Sequence, residues 1–271
     1  MTLEDWLSRH PYLQSVVDFQ IQVEAAASAV SIPILAIPDW NEYVGEFLNG
    51  VPLLHSSGVV MDLRPAEEVI ARLIDELASR ALVYPPAKQI VALADELRSE
   101  QNAPRRALGW LIHENDCPSN HPGLLRYLGW TAIRRFLRPI IARFAEWRDE
   151  ERWLHRYCPT CGSLPAMAQL VGMDSGRMRL LLCGCCGTRW RYRRIGCTFC
   201  ENENDHRLPV LTIEGQNGLR VDCCDVCGGY LKAYEGRGCE PFLLEDWASL
   251  HLDILARDRG LKRLASSLYE L

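Results

Sequence analysis

Eight cysteines between Cys158 and Cys227 fall into four Cys-x-x-Cys pairs: Cys158/Cys161, Cys183/Cys186, Cys197/Cys200 and Cys224/Cys227. Two intervening residues let both sulfurs of a pair turn toward one ion from a single tight loop, and a second such loop completes a tetrahedron. Twenty-one residues separate the first pair from the second and 23 the third from the fourth, close to the spacing of a tetrathiolate metal site. Structural disulfides fit less well, because x2 loops bridge poorly without strain and nothing marks the chain as secreted. A thioredoxin-like redox pair opens a helix, whereas these pairs sit between β-rich segments. Tetrahedral S4 sites suit zinc or rubredoxin-type iron.

The pairs also form one unit used twice, Cys197 following Cys158 by 39 residues and Cys224 following Cys183 by 41. Each unit reads knuckle, β-rich segment, Gly-containing turn, β-rich segment, knuckle, β-rich segment. Trp190 and Tyr192 alternate with Arg189, Arg191 and Arg193, as in a strand with two unlike faces. Gln216-Asn217-Gly218 supplies an Asn-Gly hairpin turn. The repeat pairs the first knuckle with the second and the third with the fourth, leaving crossed pairing open. Cys117, Cys185, Cys223 and Cys239 remain; Cys117 and Cys239 read as small apolar residues, and Cys185 and Cys223 lie beside ligands. No acid lies between Asp174 and Glu201, while six arginines do, a charge that balances thiolate clusters.

The elements that must position these knuckles begin with a helical half. Expected helices cover Val16–Val30, Asp39–Leu48, a segment after Pro65 stopped by Pro85-Pro86, one carrying Ile90, Val91, Leu93, Ala94 and Leu97, and Arg105–His113. Gly50 to His55 reads as an extended connector. Leu124–Trp153 is the longest helical stretch; Pro139 should kink or divide it, and it should lead directly into Cys158. Pro241 to Gly260 reads as one amphipathic helix. The expected fold is α+β: an N-terminal all-helical domain (1–156), a first rubredoxin-like, zinc-ribbon-like module (157–195), and a second with a C-terminal helix (196–271).

The chain's 271 residues allow a sizeable core, and its 48% hydrophobic content is ordinary for a globular protein. A net charge of −5 argues against a general nucleic-acid binder. No apolar run long enough to span a bilayer occurs, no signal peptide is evident at Met1, and metal-arranged thiols imply a reducing cytoplasm. His55, His113 and His121 are isolated, and no H-E-x-x-H, G-x-S-x-G or Walker run is present. His155 and His206 lie near knuckles, where they would contact a partner or support the ligands.

Several segments together resemble the formate dehydrogenase accessory protein FdhE family. They are Gly50-Val51-Pro52-Leu53-Leu54, Cys158 to Ser163, Cys183 to Trp190, Cys197 to Cys200, Cys224 to Lys232, and Asp246 to Asp253. The resemblance implies a non-enzymatic cytoplasmic maturation factor that binds the catalytic subunit of formate dehydrogenase before export. It further implies iron, as two FeS4 sites held by Cys158, Cys161, Cys183, Cys186, Cys197, Cys200, Cys224 and Cys227, with zinc possible in its place. Glu201 stands where a glycine commonly follows the knuckle. Two other functions compete: a rubredoxin-like electron carrier, and a nucleic-acid-binding zinc ribbon suggested by the arginines around Trp190 and Tyr192.

Overall fold

The computed structural model describes residues 1–59, 61–80, 86–113, 116–172, 177–214, 218–236 and 240–269. The backbone packs as two compact units, and neither is one run of sequence. One gathers Met1–Pro11, Tyr43–Ser56 and Arg148–Ser267; the other gathers Tyr12–Glu42, Ser57–Trp147 and Leu268–Leu271.

The helices in chain order are α1 (Leu3–Arg9), α2 (Gln14–Ala29), α3 (Trp40–Leu48), α4 (Arg64–Ser79), α5 (Ala87–Ser99), α6 (Ala103–His113) and α7 (Pro122–Trp147). In the helical unit α4 is central. Val69, Ile70, Leu73, Ile74 and Leu77 recur at helical spacing and are all buried against α2, α5, α6 and α7. α5 buries Ile90, Leu93, Ala94 and Leu97, but Val91 is 45% exposed, because one residue past Ile90 the helix has turned off its apolar face. Pro85 lies outside the described residues; Pro86 caps α5. Pro139 does not divide α7, which is one 26-residue helix through it. The proline sits on the exposed face while Phe136, Leu137, Ile140 and Phe144 anchor both sides, so its missing N–H is lost facing water. α1 was not expected from the pattern: a capping box of Thr2 and Asp5 starts it, but Trp6 is its one buried side chain, too little for a period to show.

The second unit is built on a six-stranded sheet of β1 (Pro165–Val171), β2 (Met178–Cys183), β3 (Arg189–Tyr192), β4 (Val210–Thr212), β5 (Leu219–Cys223) and β6 (Tyr230–Tyr234), in the order β3-β2-β1-β6-β5-β4. Neighbours are antiparallel except β1 and β6, which run parallel with Met167 opposite Lys232 and Gln169 opposite Tyr234. The two β modules therefore lie edge to edge, as a repeated sequence unit predicts. The joining strands are nearly wholly buried, and the outer strand β4 is largely exposed. The hairpin expected at Gln216-Asn217 lies outside the described residues, but β4 and β5 pair as its flanking strands would.

Two expectations about connections need correction. α7 ends at Trp147, and Arg148 to Tyr157 intervene before Cys158 as a non-helical strap. The tail is not one helix: 3-10 turns at Pro241–Leu244 and Asp246–Ser249 precede α8 (Leu250–Asp258), which Gly260 closes at φ +75°. The cause is a buried polar cluster that fixes the tail on β6. Lys232, 1% exposed, places Nζ 2.6 Å from Asp246 Oδ1 and 2.7 Å from Asp253 Oδ2. It also donates to the Asp246 carbonyl at 2.8 Å, a bond that a continuous helix would claim for itself. Arg263 binds the same two carboxylates at 2.8 and 2.6 Å, and Tyr230 OH and Ser267 Oγ donate to them at 2.7 and 2.6 Å. Two cations thus meet two anions. Burial works against ionisation of Asp246, yet Lys232 and Arg263 hold its carboxyl far below the ordinary carboxylate range.

Deleting one member of such a cluster leaves a buried charge uncompensated. Lys232→Ala is expected to lower unfolding stability by about 3–5 kcal/mol in urea titrations, against under about 1 kcal/mol for the exposed pair partner in Arg72→Ala. His251, packed beside His10 at 5.0 Å and Trp6 at 6.1 Å, is depressed to about 4 by burial and then by the nearby charges of His10 and Lys232. A lowered histidine contributes stability that is complete above about pH 6.5 and lost as pH falls toward about 4. The loss attributable to His251, on the order of 2 kcal/mol after allowance for solvent, should vanish in His251→Gln when urea midpoints are compared at about pH 7 and 4.5.

Candidate metal centres

Each knuckle is a tight turn closed by backbone hydrogen bonds. Cys158 N donates to Ser163 O and Gly162 N to Cys158 O, both at 2.9 Å; the loops after Cys183, Cys197 and Cys224 repeat the pattern. The residue after the second cysteine must turn left-handed. Gly162, Gly187 and Gly228 do so at φ +78°, +79° and +69°, and Glu201 does so at +60° without being glycine, a strain of about 1–2 kcal/mol.

These turns bring Cys158, Cys161, Cys183 and Cys186 together in one set and Cys197, Cys200, Cys224 and Cys227 in another, with all sulfurs of a set within 4.8 Å of one another. Crossed pairing does not occur. Cys158 and Cys186 sulfurs are 3.5 Å apart and Cys161 and Cys183 3.4 Å; the second set shows 3.7 Å for Cys197–Cys227 and 3.6 Å for Cys200–Cys224. Four sulfurs about 2.3 Å from a central ion would be about 3.8 Å apart, so both cages fit zinc or iron after slight expansion. Disulfides, with sulfurs about 2.05 Å apart, do not describe these contacts.

The donor chemistry agrees. Burial raises the Cys158, Cys161 and Cys183 thiols well above the free value and pushes Cys197 up to about 12. In each set one sulfur of the later knuckle goes the other way. Burial opposes ionisation of Cys224, but the N–H groups of Cys227 and Val226 and the thiols of Cys200 and Cys197 bring it to about 7. Cys186, also opposed by burial, is likewise lowered by its cysteine neighbours and Thr188. A full set of thiolates therefore needs a cation among them. Thr160 N donates to Cys158 Sγ and Cys186 N to Cys183 Sγ at 3.4 Å, and Phe199 N to Cys197 Sγ at 3.3 Å, which orients the lone pairs. Thr160 and Thr188, one from each loop, join the first set's knuckles through a 2.7 Å hydroxyl contact.

The first centre is enclosed by segments far away in sequence. Leu53 N and Leu54 N donate to the carbonyls of Pro159 and Thr160 at 2.9 and 2.8 Å, so the stretch expected as an extended connector is a 3-10 turn, Leu53–His55, moulded on the knuckle. His55, expected as a surface or hydrogen-bonded loop residue, places Nε2 3.2 Å from the Cys161 carbonyl. Gly50, at φ +77°, accepts from Tyr157 OH at 2.8 Å and lies against His155, whose ring stacks on Tyr157 with centroids 5.1 Å apart. Trp190 Nε1 donates to the His155 carbonyl at 3.0 Å. The pointer in the sequence was the Gly50-Val51-Pro52-Leu53-Leu54 run, legible as a motif but not as a partner of the knuckle. His206 is exposed beside Asp205, and His113 and His121 lie in the other unit.

Cys185 and Cys223 are buried outside both cages, and Cys223 is pushed up to about 11 by burial and by Asp222 and Asp225. Cys117 is exposed rather than packed as a small apolar residue, and Cys239 lies outside the described residues. Five of the six arginines are engaged within the chain. Arg177 pairs with Glu235 at 2.9 Å, Arg179 with Asp222 at 3.6 Å and Arg191 with Glu151 at 2.8 Å; Arg193 pairs with Glu203, and Arg189 donates to Gln169. Trp190 and Tyr192 are buried, so neither can stack on a base. No helix among the described residues is long and apolar enough to cross a membrane.

Fold and site together define a protein with a helical unit and two tandem rubredoxin-like modules, each carrying a four-cysteine set able to hold a metal ion. A family model described as FdhE, central domain, matches residues 157–194. An FdhE homolog of Aquifex aeolicus is 33% identical over 130 residues, 46% of each chain. The FdhE homolog of Stutzerimonas stutzeri is 30% identical across 69% of this chain and 62% of its own, so the chain spans less than two thirds of these two relatives. Protein FdhE of Escherichia coli O127:H6 is 27% identical across 82% of this chain and 81% of its own. The crystal structure of the FdhE protein from Pseudomonas aeruginosa superposes with a TM-score of 0.65 at 23% identity, covering 95% of this chain and 88% of that one, and shares the fold. In sequence the chain is thus similar to FdhE proteins, and in fold to the solved one.

A side chain at Gly50 would place Cβ 2.5 Å from His155 Nε2 in a left-handed backbone, whereas Gly45, inside α3, has open space around it. Gly50→Ala should therefore lose about 2 kcal/mol of stability while Gly45→Ala gains up to about 1 kcal/mol, read as opposite shifts of the urea midpoint.

Proposed function

We propose that this chain is a non-enzymatic, cytoplasmic maturation factor that recognises the catalytic subunit of formate dehydrogenase before its export. Residues 157–195 and 196–271 would each hold one iron ion in a rubredoxin-like module. The ligands are Cys158, Cys161, Cys183 and Cys186 in the first and Cys197, Cys200, Cys224 and Cys227 in the second, with zinc able to replace iron. The observation that carries this reading is the closure of both cages. Four sulfurs already surround each central position, so no coordination site is left open for a substrate, and the ions serve structure or electron storage rather than Lewis-acid chemistry. The likeness to FdhE proteins supports a role that involves a protein partner.

The test is an anaerobic pull-down of the catalytic subunit with wild type and with Cys224→Ser/Cys227→Ser, with metal measured in both. Two ions per chain and capture of the subunit are expected for wild type, falling to one ion and at least tenfold weaker capture in the variant. Capture unchanged by loss of the ion would move recognition to the helical unit. Absence of capture by either form, with reversible one-electron chemistry at the iron, would favour the electron carrier instead.

A further inference from the structure

The two four-cysteine sets differ in a way their matched spacing does not announce. In the first, all four cysteines are buried, between 0% and 4% exposed. In the second, Cys197 and Cys224 are buried, but Cys200 is exposed and Cys227 is half-buried. The neighbouring knuckle residue Val226 is 54% exposed. A cavity of about 190 Å3 also reaches the second set, lined among others by Cys197, Cys224, Thr198 and Arg179.

The loops differ in ease of opening as well. Three knuckles carry glycine at the left-handed position, and the third carries Glu201 at φ +60°, so the loop holding Cys197 and Cys200 is the strained one. The Glu201 side chain is tied to Arg193 at 3.5 Å, both groups being partly exposed, a weak restraint. Removing an ion from a closed S4 cage requires a competing ligand or a proton to reach a sulfur while a knuckle swings away. Both steps are open at Cys200 and blocked around the first cage.

We propose that the second centre is a metal-exchange site: it releases and takes up its ion on the protein's working timescale, while the first keeps its ion as a fixed structural part. This rests on the reading that both cages bind metal, and the experiment separates the two. The full chain is loaded with Zn2+, its stoichiometry measured, and then challenged with excess 4-(2-pyridylazo)resorcinol while release is followed by absorbance. The expected result is two ions per chain, one leaving at least tenfold faster than the other. Cys200→Ser should abolish the fast phase and Cys161→Ser the slow one. Glu201→Gly, which keeps all eight ligands and relieves the loop, should slow the fast phase several-fold without moving the slow one. Two ions leaving at one rate, a fast phase that follows Cys161, or a fast phase untouched by Glu201→Gly would overturn the exchange site while leaving metal binding intact. Fewer than two ions at the start would overturn the metal-binding reading itself, and the exchange site with it.

Discussion

Four sulfurs within 4.8 Å of one another, most of them buried, are the constraint around which the cysteine-rich unit is arranged. Neutral thiols would tolerate that crowding, but they would gain little from it; thiolates would repel strongly without an ion between them. A module of about 40 residues is too small to stabilise itself through apolar burial alone, so a bound ion, worth on the order of 10 kcal/mol, would take the place of a core. The rest of the module follows from closing the cage. Knuckle loops need a left-handed residue, N–H groups must face the sulfurs, and the strands that leave each loop must diverge from the metal without twisting it open.

Placing two such modules edge to edge resolves a second difficulty. A three-stranded sheet has two edges, and each exposes unpaired backbone groups. Pairing β1 with β6 removes one edge from each module and makes the joining strands central, which is why they are buried where β4 is not. Burial on both faces then demands a cover, and the tail provides it. Lys232, in the middle of β6, would be intolerable there as a lone charge; Asp246, Asp253 and Arg263 make it the anchor of the covering segment instead.

What the sequence disclosed follows the range over which each signal acts. Cysteine spacing is local, and so is the 3.6-residue period of α4; both could be read directly, as could the two-faced strand that buries Trp190 and Tyr192 opposite the arginines. Pro139 misled because a proline rule knows nothing of which face the residue occupies. Gly50 to Leu54 misled for a different reason. The N–H groups of Leu53 and Leu54 are satisfied by the carbonyls of Pro159 and Thr160, and no local pattern encodes a partner at that distance. The tail reads as one helix by period, yet Asp246 and Asp253, set among apolar neighbours, already carried the warning that two acids on a buried face require buried cations.

The difference between the cages is likewise a matter of what lies outside each repeat. The repeat itself is nearly even-handed, supplying the same knuckles and closely matched spacing twice. The first copy receives additional chain: Leu53 and Leu54 close over Pro159 and Thr160, His55 seats on the Cys161 carbonyl, and the strap from Arg148 to Tyr157 binds β3 through Trp190. The second copy receives less. Lys262 bridges Gly229, and Arg156 of the strap donates to the Phe199 carbonyl, yet Cys200 stays exposed among the described residues. A duplicated module thus acquires two different chemistries without changing a ligand, because accessibility is set by the segments that arrive from elsewhere. Burial would keep an ion in the first cage with its protein, and exposure would put one in the second within reach of other molecules.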